Sequence, residues 1–255
     1  MKAQIQSLFI KERHGFPMLR TDEMELIRGF GIKGDINADI MSPRQVLIVI
    51  NEDLEYFNIP PGGLRENIVL KNLDLSFFKP GSLLVLGDVK IRLTFNCEPC
   101  KRISQFVKPS EIMGRRGILG VVIESGIIHE NMEATLLPSI FDPLSDLPFD
   151  RFKHFVSQIP EGKVVTYKEI TRGMGVAESY LRAIPTYITK SDDNLPIHRI
   201  VDSEGALIQK YIPNQKHLLI NEKVILREAP GLFDDSAWFV SLERHLWHQD
   251  SLFLN

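Results

Sequence analysis

The stretch IPEGKVVTYKEI (159–170) decides how the second half of the chain is read. Upstream of it Phe149, Phe152, Phe155, Val156 and Ile159 recur at helical spacing, with Asp150 placed to cap their helix. Pro160, Glu161 and Gly162 stop that helix. Thr166 and Glu169 then fit a capping box, in which the hydroxyl accepts from the N3 amide and the carboxylate accepts from the N-cap amide. This predicts a second helix from about 167 to 173, closed by Gly173 and Gly175. Ser179 can cap a third, from Tyr180 to about Thr189. Short helices around a glycine-containing turn have the form of a helix-turn-helix. Residues 197–212 follow as a short hairpin turning at Ser203, Glu204 and Gly205, the wing. The expected fold of residues 150–228 is therefore an α+β winged helix-turn-helix.

Working toward the amino terminus, LLPSIFDPLSDLPF (136–149) holds three prolines and reads as a linker. Residues 1–135 are strand-rich. RQVLIVI (44–50) is short, apolar and β-branched, as a buried strand is. SLLVLGDVKIRLTF (82–95) predicts a hairpin around Gly87 and Asp88, and LGVVIESGII (119–128) a second one turning at Ser125 and Gly126. PPGG (60–63) and KPG (79–81) punctuate loops. Many short strands between such turns predict a mainly β domain, a barrel. At the other end, Trp238, Phe239, Leu242, Leu246 and Trp247 follow a helical stripe in 229–255, with His245 and His248 on or near it. That predicts a helical extension, packed across the domain junction or used to bind a partner.

Composition sets the bounds. A chain of 255 residues accommodates two ordinary domains. Its net charge of −3 conceals a basic segment, 151–227, with 12 Lys and Arg against 8 Asp and Glu. That bias suits a polyanionic partner and equally an ordinary solvated face. No apolar run approaches 18 residues and the first 15 residues lack a leader pattern, so no membrane span and a cytoplasmic location are expected. Two cysteines do not make a disulfide scaffold.

Those cysteines form one cluster, CEPC (97–100). A structural zinc site needs roughly four ligands, and no second Cys/His pair stands at suitable spacing. A redox Cys-x-x-Cys normally opens a helix in a thioredoxin-like unit, whereas the surroundings here are β-rich. The third reading is a thiolate ligand for a soft transition metal. GIKGD (31–35), RQVLIV (44–49), PGGLRENIVL (61–70), KPGSLLVLGDVKIRLT (79–94) and CEPCKRI (97–103) resemble, in order, a MOSC domain, the β-barrel module related to molybdenum cofactor sulfurases. The resemblance implies that Cys100 ligates molybdenum or carries sulfur for it, with Cys97 a partner thiol or a packing residue. It implies a pterin-phosphate cofactor, for which Arg44, Arg65, Asn67, Lys101 and Arg102 offer hydrogen-bond donors. The plainer alternative makes Arg65 and Glu66 a surface ion pair and Cys100 a buried thiol.

The carboxy-terminal half carries a second resemblance. IPEGKVVTYKEI (159–170), LRAI (181–184), LPIHRIVDSEGAL (195–207) and KYIPNQKHLLINE (210–222) resemble the DNA-binding domain of O6-alkylguanine-DNA alkyltransferases over about 75 residues. That family's loop reads Pro-Cys-His-Arg-Val and its cysteine takes the alkyl group. Here it reads Pro196, Ile197, His198, Arg199, Ile200. Isoleucine has no nucleophile, so the resemblance is to alkyltransferase-like proteins, which bind damaged DNA without repairing it. It implies DNA contacts by Tyr167, Arg182, His198, Arg199 and Tyr211. Tyr167 would press on the phosphate of a flipped nucleotide, and Arg182 would fill the vacated stack. Pro185, where the family has a glycine, and Lys190–Asn194, where a hinge asparagine is expected, depart from the pattern. A fold remnant serving protein interaction is the alternative to DNA binding, and a structural histidine the alternative for His198.

Three functions follow from the pair of resemblances. The fusion would present an N-hydroxylated or otherwise modified base to a molybdenum centre on Cys100, with a redox partner. It would recognise alkylated DNA and recruit a repair partner without chemistry. Or Cys100 would carry a persulfide to another molybdoenzyme.

Overall fold

The computed structural model describes residues 3–192, 194–230, 236–248 and 253. The chain divides into two compact units, Met1–Asp146 with Asp250–Asn255, and Leu147–Gln249.

The first unit is built on β1 (Gln4–Ile10), β2 (Leu19–Thr21), β3 (Glu23–Ile27), β4 (Gly31–Ile32), β5 (Val46–Ile50), α1 (Asn51–Tyr56), β6 (Ile68–Lys71), β7 (Leu83–Leu86), β8 (Val89–Asn96), β9 (Ile118–Glu124), β10 (Gly126–His129) and β11 (Thr135–Leu137). Eight of them form one curled sheet in the order β11-β7-β8-β9-β5-β6-β1-β2. The far end bends back on the near one. Ahead of β11, Ala134 N donates to Ala3 O (2.9 Å) and Asn131 N to Ile5 O (2.8 Å), while Ile5 N donates to Met132 O (3.0 Å). β1 thus has β6 on one edge and shares its other edge between β2 and residues 131–134. The curling satisfies edge groups that an open sheet leaves bare, as the expected barrel does.

Every residue of β5 is buried, which explains its unbroken apolar run. Val46 and Ile48 face one core with Ile5, Leu8, Ile68 and Ile91. Leu47 and Val49 face a second, with Phe9, Leu54, Phe95 and Ile103. Truncating Ile48 to alanine would cost about 2–5 kcal/mol. The hairpin at 82–95 forms as expected: β7 and β8 pair antiparallel across Gly87, which adopts φ +61°. The second expected hairpin does not form. β9 pairs with β5 and β8, whereas β10 leaves that sheet and pairs with β3 in a small sheet ordered β10-β3-β4. A glycine turn signals a change of direction, not the identity of the partner strand.

The second unit holds α2 (Pro148–Ser157), β12 (Val165–Thr166), α3 (Tyr167–Gly173), α4 (Ile184–Thr189), β13 (Ile200–Val201), α5 (Gln215–Asn221), β14 (Leu226–Pro230), β15 (Ser236–Val240) and α6 (Leu242–His245), with 3-10 turns at Glu178–Ala183 and Ile197–Arg199. α2 begins earlier than expected, with Pro148 in its first turn, so Asp150 is a first-turn acid and not the cap. Its Phe152, Phe155 and Val156 are buried. Gly173 of α3 lies against the Phe155 ring, so close that a Cβ there would enter it. The Thr166/Glu169 capping box is present.

The single helix expected from Tyr180 to Thr189 is broken in two. Residues 178–183 form the 3-10 turn, and α4 starts at Ile184 with Pro185 in its first turn. There a missing N–H costs nothing, because first-turn amides have no helical partner. The wing also differs. β13 pairs in parallel with β12, and the strand after the Gly205 turn pairs with β15: Leu207 N donates to Trp238 O (2.9 Å) and Val240 N to Gly205 O (2.8 Å).

Trp238 and Phe239 therefore belong to a strand, not to a helix. β14 and β15 pair antiparallel from Leu226↔Val240 to Pro230↔Ser236. Only the four residues of α6 are helical among the described residues of 229–255. After α6 the chain re-enters the unit, with Val164 N donating to His245 O (2.8 Å) and Trp247 N to Val164 O (2.9 Å). Residues 136–137 and 148–149 of the expected linker belong to β11 and the start of α2. No helix among the described residues is long and apolar enough to cross a membrane.

Candidate functional site

The two cysteines occupy different environments. Cys97 follows β8, where its amide donates to Gly117 O (2.9 Å) and its side chain is 2% exposed. Arg116 Nη1 donates to Cys97 Sγ at 3.0 Å, and also to Glu98 O. Burial raises the Cys97 thiol above its ordinary pKa, outweighing the lowering by Arg116 and Arg44. Cys97 is thus an interior thiol of the apolar core. Cys100 is partly exposed and precedes the 3-10 turn at Lys101–Ile103. It is not the buried thiol of the plainer reading.

Beside that turn lies a cavity of about 470 Å³. Lys11, Arg65 and Arg102 line it together with Phe9, Phe16, Phe106 and the loop Pro60–Gly63. Arg65 adopts φ +66°, so a sharp turn carries its side chain. The same turn is tied down by Glu66, whose carboxylate accepts from Gly62 N at 2.5 Å. Glu66 is fully buried, so it is no partner in a surface ion pair, and burial raises its pKa. Burial lowers the pKa of Arg65, with Arg102 adding to the effect and Cys100 opposing it. Burial also lowers that of Lys11, followed by repulsion from Arg65 and Arg102, with Asp35 opposing. Asp35 is already engaged: its carboxylate accepts from Lys11 N (2.9 Å), Asn67 Nδ2 (3.0 Å), Asn37 N and Asn37 Nδ2 (both 2.8 Å).

Of the residues expected to hold a cofactor, Arg65 and Arg102 are brought to this cavity, while Cys100 acts on the Arg65 charge without lining the cavity. Asn67 is not free to serve: its Nδ2 donates to Phe9 O and Asp35 Oδ2, and its Oδ1 accepts from Leu47 N. Lys101 is exposed and Arg44 sits near Cys97, and neither lines the cavity. Lys11 was missed. It directly follows β1 and opens the polar run Lys11-Glu12-Arg13, where nothing local distinguishes it from a solvated lysine.

In the second unit, Tyr167 opens α3 half-buried. Burial, and the neighbouring Tyr211 and Asp202, push its phenol up to about 12, so it remains a neutral donor at physiological pH. Tyr211 is 37% exposed. Arg182 is exposed in the 3-10 turn before α4. Tyr167 and Tyr211 are therefore neighbours.

His198 and Arg199 meet at one carboxylate. Glu222, just past α5, accepts from His198 Nε2 at 2.6 Å and from Arg199 Nη2 at 2.7 Å and Nε at 3.0 Å. Arg199 Nη1 donates to Ile159 O at 2.5 Å, and Gly162 N donates to Glu222 Oε2 at 3.0 Å. Burial would raise the Glu222 carboxyl. The hydrogen bonds from Arg199, His198 and Gly162 overcome it and hold the group at about 2. This network fixes the loop that presents Ile197. Gln215 reinforces it from α5: fully buried, it donates to Ile200 O (2.6 Å) and His198 O (3.1 Å) and accepts from Ile208 N (2.6 Å). Sequence reasoning overlooked Gln215, since a glutamine in a polar helix carries no signal of burial. Asp193, in the segment expected to replace the hinge asparagine, lies outside the described residues.

Two family models match the chain. One, the MOSC domain, covers 36–131. The other, the DNA-binding domain of 6-O-methylguanine DNA methyltransferase, covers 149–224. The chain joins a MOSC domain to an alkylguanine-transferase DNA-binding domain. Among solved structures, the YUAD protein from Bacillus subtilis is similar at 22% identity over 53% of this chain and 96% of its own, with a TM-score of 0.46. YiiM from Geobacillus stearothermophilus matches at 14% identity over 72% and 98%, with a TM-score of 0.46. S. pombe Atl1, in complex with damaged DNA containing O6-carboxymethylguanine, matches at 26% identity over 41% and 97%, with a TM-score of 0.36. No curated protein matches. The hairpin β14–β15 and the strap through Trp247 lie beyond the DNA-binding match, and Lys11 and Phe16 lie ahead of the MOSC match.

Proposed function

We propose that the second unit binds DNA containing a modified base without removing the modification, and that the first unit holds a molybdopterin-class cofactor at Cys100. The observation that carries the DNA reading is the state of the loop at 196–200. The His198–Glu222–Arg199 network that positions it is intact, yet its centre is Ile197, which can neither attack nor accept an alkyl group. A scaffold kept in order around a missing nucleophile suits recognition. Tyr167, a neutral phenol, donates to a phosphate oxygen. Arg182, an exposed planar cation, stacks where a base is displaced.

Titration of the full chain with duplexes that carry O6-methylguanine or guanine at one position tests this. Preference for the modified duplex, with the protein mass unchanged after incubation, supports recognition without transfer. Equal weak binding of both would favour a fold remnant used for protein contact.

The cofactor reading rests on the cations beside Cys100. Arg65 and Arg102 would hold the cofactor's phosphate, and Cys100 would supply the thiolate ligand. When bound, such a group supplies two-electron chemistry of the class to which reduction of an N-hydroxylated base belongs. Molybdenum analysis of the wild type and Cys100→Ser tests it. Metal lost in the variant supports the reading. Metal absent from both, with an extra sulfur on Cys100 by mass, would favour a sulfur carrier instead.

A further inference from the structure

His245 sits where the carboxy-terminal strap meets the body of the second unit, and both of its ring nitrogens are in use. Nδ1 lies 2.8 Å from Gly162 O, and Ile225 N donates to Nε2 at 3.1 Å. A carbonyl only accepts and an amide only donates, so the arrangement needs a neutral ring with its hydrogen on Nδ1. The main chain around it is engaged as well. Val164 N donates to His245 O (2.8 Å) and Trp247 N to Val164 O (2.9 Å), and the Trp247 ring lies 5.6 Å from that of Phe155.

Gly162 is held from two sides. His245 takes its carbonyl, and Glu222 takes its amide at 3.0 Å. Gly162 adopts φ +75°, a left-handed conformation that favours glycine. Glu222 in turn accepts from His198 Nε2 and Arg199 Nη2, in the turn that begins at Ile197. A chain of hydrogen bonds therefore runs from the strap, through Gly162 and Glu222, to the loop at 196–200. His245, with the rest of α6 and the strap, lies beyond the residues of the DNA-binding match, so this support is an addition to the matched domain.

We propose that His245 is a positioning residue of the loop at 196–200, acting through Gly162 and Glu222, and that its neutral ring holds the loop in order while its protonated ring releases it. The inference deepens the DNA reading and rests on it for one of its two readouts. A proton on Nε2 removes the acceptor of Ile225 N and sets two donors against each other. His198 responds differently, because its partner is a carboxylate, which accepts from either form of the ring. The other charged or titratable groups of the surrounding elements are Glu161 and Lys163 before β12, Lys223 after α5, Arg227 and Glu228 on β14, and Glu243, Arg244 and His248 on the strap. Lys163 donates to Arg244 O at 3.2 Å, and among the described residues none of these side chains hydrogen-bonds the His245 ring. Glu222, held at about 2, keeps its charge throughout the range in which imidazoles titrate.

The test follows the full chain between about pH 7.5 and 5.5, where imidazoles ordinarily take up a proton. Two quantities are read. One is protection against hydrogen exchange at the Ile197 and Arg199 amides, which donate to Leu195 O (2.6 Å) and Pro196 O (3.0 Å). The other is the ratio of affinities for an O6-methylguanine duplex and its unmodified counterpart. In the wild type both should fall about fivefold on acidification, as the loss of one hydrogen bond implies. His245→Gln keeps one donor and one acceptor but does not titrate. It should match the wild type at the upper end of the range and show no fall. His245→Ala should give the lowered values at every pH. An equal fall in the wild type and His245→Gln would overturn the proposal, as would wild-type protection of the loop in His245→Ala. Protection that falls as described, with no duplex preference at any pH, would overturn the DNA reading and leave the positioning role standing.

Discussion

The two units each hold a cluster of charged side chains, and the clusters are built on opposite terms. In the second unit Glu222 collects His198, Arg199 and the Gly162 amide, and the surplus donor of Arg199 goes to Ile159 O. The Arg199 charge there has its counter-charge in Glu222. In the first unit Lys11, Arg65 and Arg102 share a cavity wall without a hydrogen bond or ion pair among the described residues. A closed cluster stabilises the fold that contains it. An open one lowers stability until a ligand arrives, and it is the open cluster that marks a binding site.

The largest expected effect tests the closed cluster. Glu222→Gln leaves a largely buried guanidinium without its carboxylate and should cost about 3–5 kcal/mol. Both tryptophans, Trp238 and Trp247, lie in the second unit, so their fluorescence during urea unfolding reports that unit. A loss below about 1 kcal/mol would place the Glu222 network among ordinary surface ion pairs and blur the contrast.

The open cluster should respond with the other sign. Lys11→Met removes a repulsion from Arg65 and Arg102 and no ion pair, so the unliganded first unit should keep or slightly gain stability. Hydrogen exchange of the β5 and β6 amides would report the stability. A clear loss of protection would mean that Lys11 has a stabilising role in the fold.

The effects of pH sharpen the same comparison. Glu222 sits at about 2 when folded, against an ordinary 4.5. Its contribution is therefore complete above pH 4.5 and should be lost as pH falls from there toward 2. Lys11 is lowered from 10.5 when folded, so the unliganded first unit should gain stability as pH rises through that lowered value toward 10.5. Both slopes have the same sign, but one records a partner lost on acidification and the other a repulsion relieved by alkali.

The smallest effects concern DNA contacts at the surface. Tyr167→Phe removes one donor to a phosphate and should weaken duplex binding about tenfold without changing the unfolding midpoint. Alkaline titration should show one phenol ionising only near pH 12, and the variant should lack it. Arg182→Ala should reduce the preference for a modified duplex more than it reduces binding to an unmodified one. Uniform weakening would make Arg182 a simple phosphate contact.

What the sequence revealed depended on how local the determinant was. The run at Val46–Ile50, the hairpin across Gly87 and the capping box of Thr166 and Glu169 are settled within a few residues, and each formed. β10 pairs with β3 about 100 residues upstream, a choice that no turn residue encodes. Trp238 and Phe239 fit a helical stripe, yet their backbone finds its partners in β14 and in the wing at Leu207. Pro185 did break the expected helix, but by falling in the first turn of a new one. Among the candidate residues, Arg65 reaches the cavity and Arg182 the surface, placements that fit their motif positions. The pairing of His198 and Arg199 depended on Glu222, more than 20 residues away, and the placement of Lys11 at a cavity on packing between distant segments.

The most direct measurement is a titration of the full chain with a duplex carrying one O6-methylguanine, followed by the intact mass of the protein. The expected result is tighter binding than to the unmodified duplex, with the mass unchanged. Binding without preference for the modified base, or a methyl group found on the protein, would contradict a unit that recognises altered DNA and leaves it unaltered.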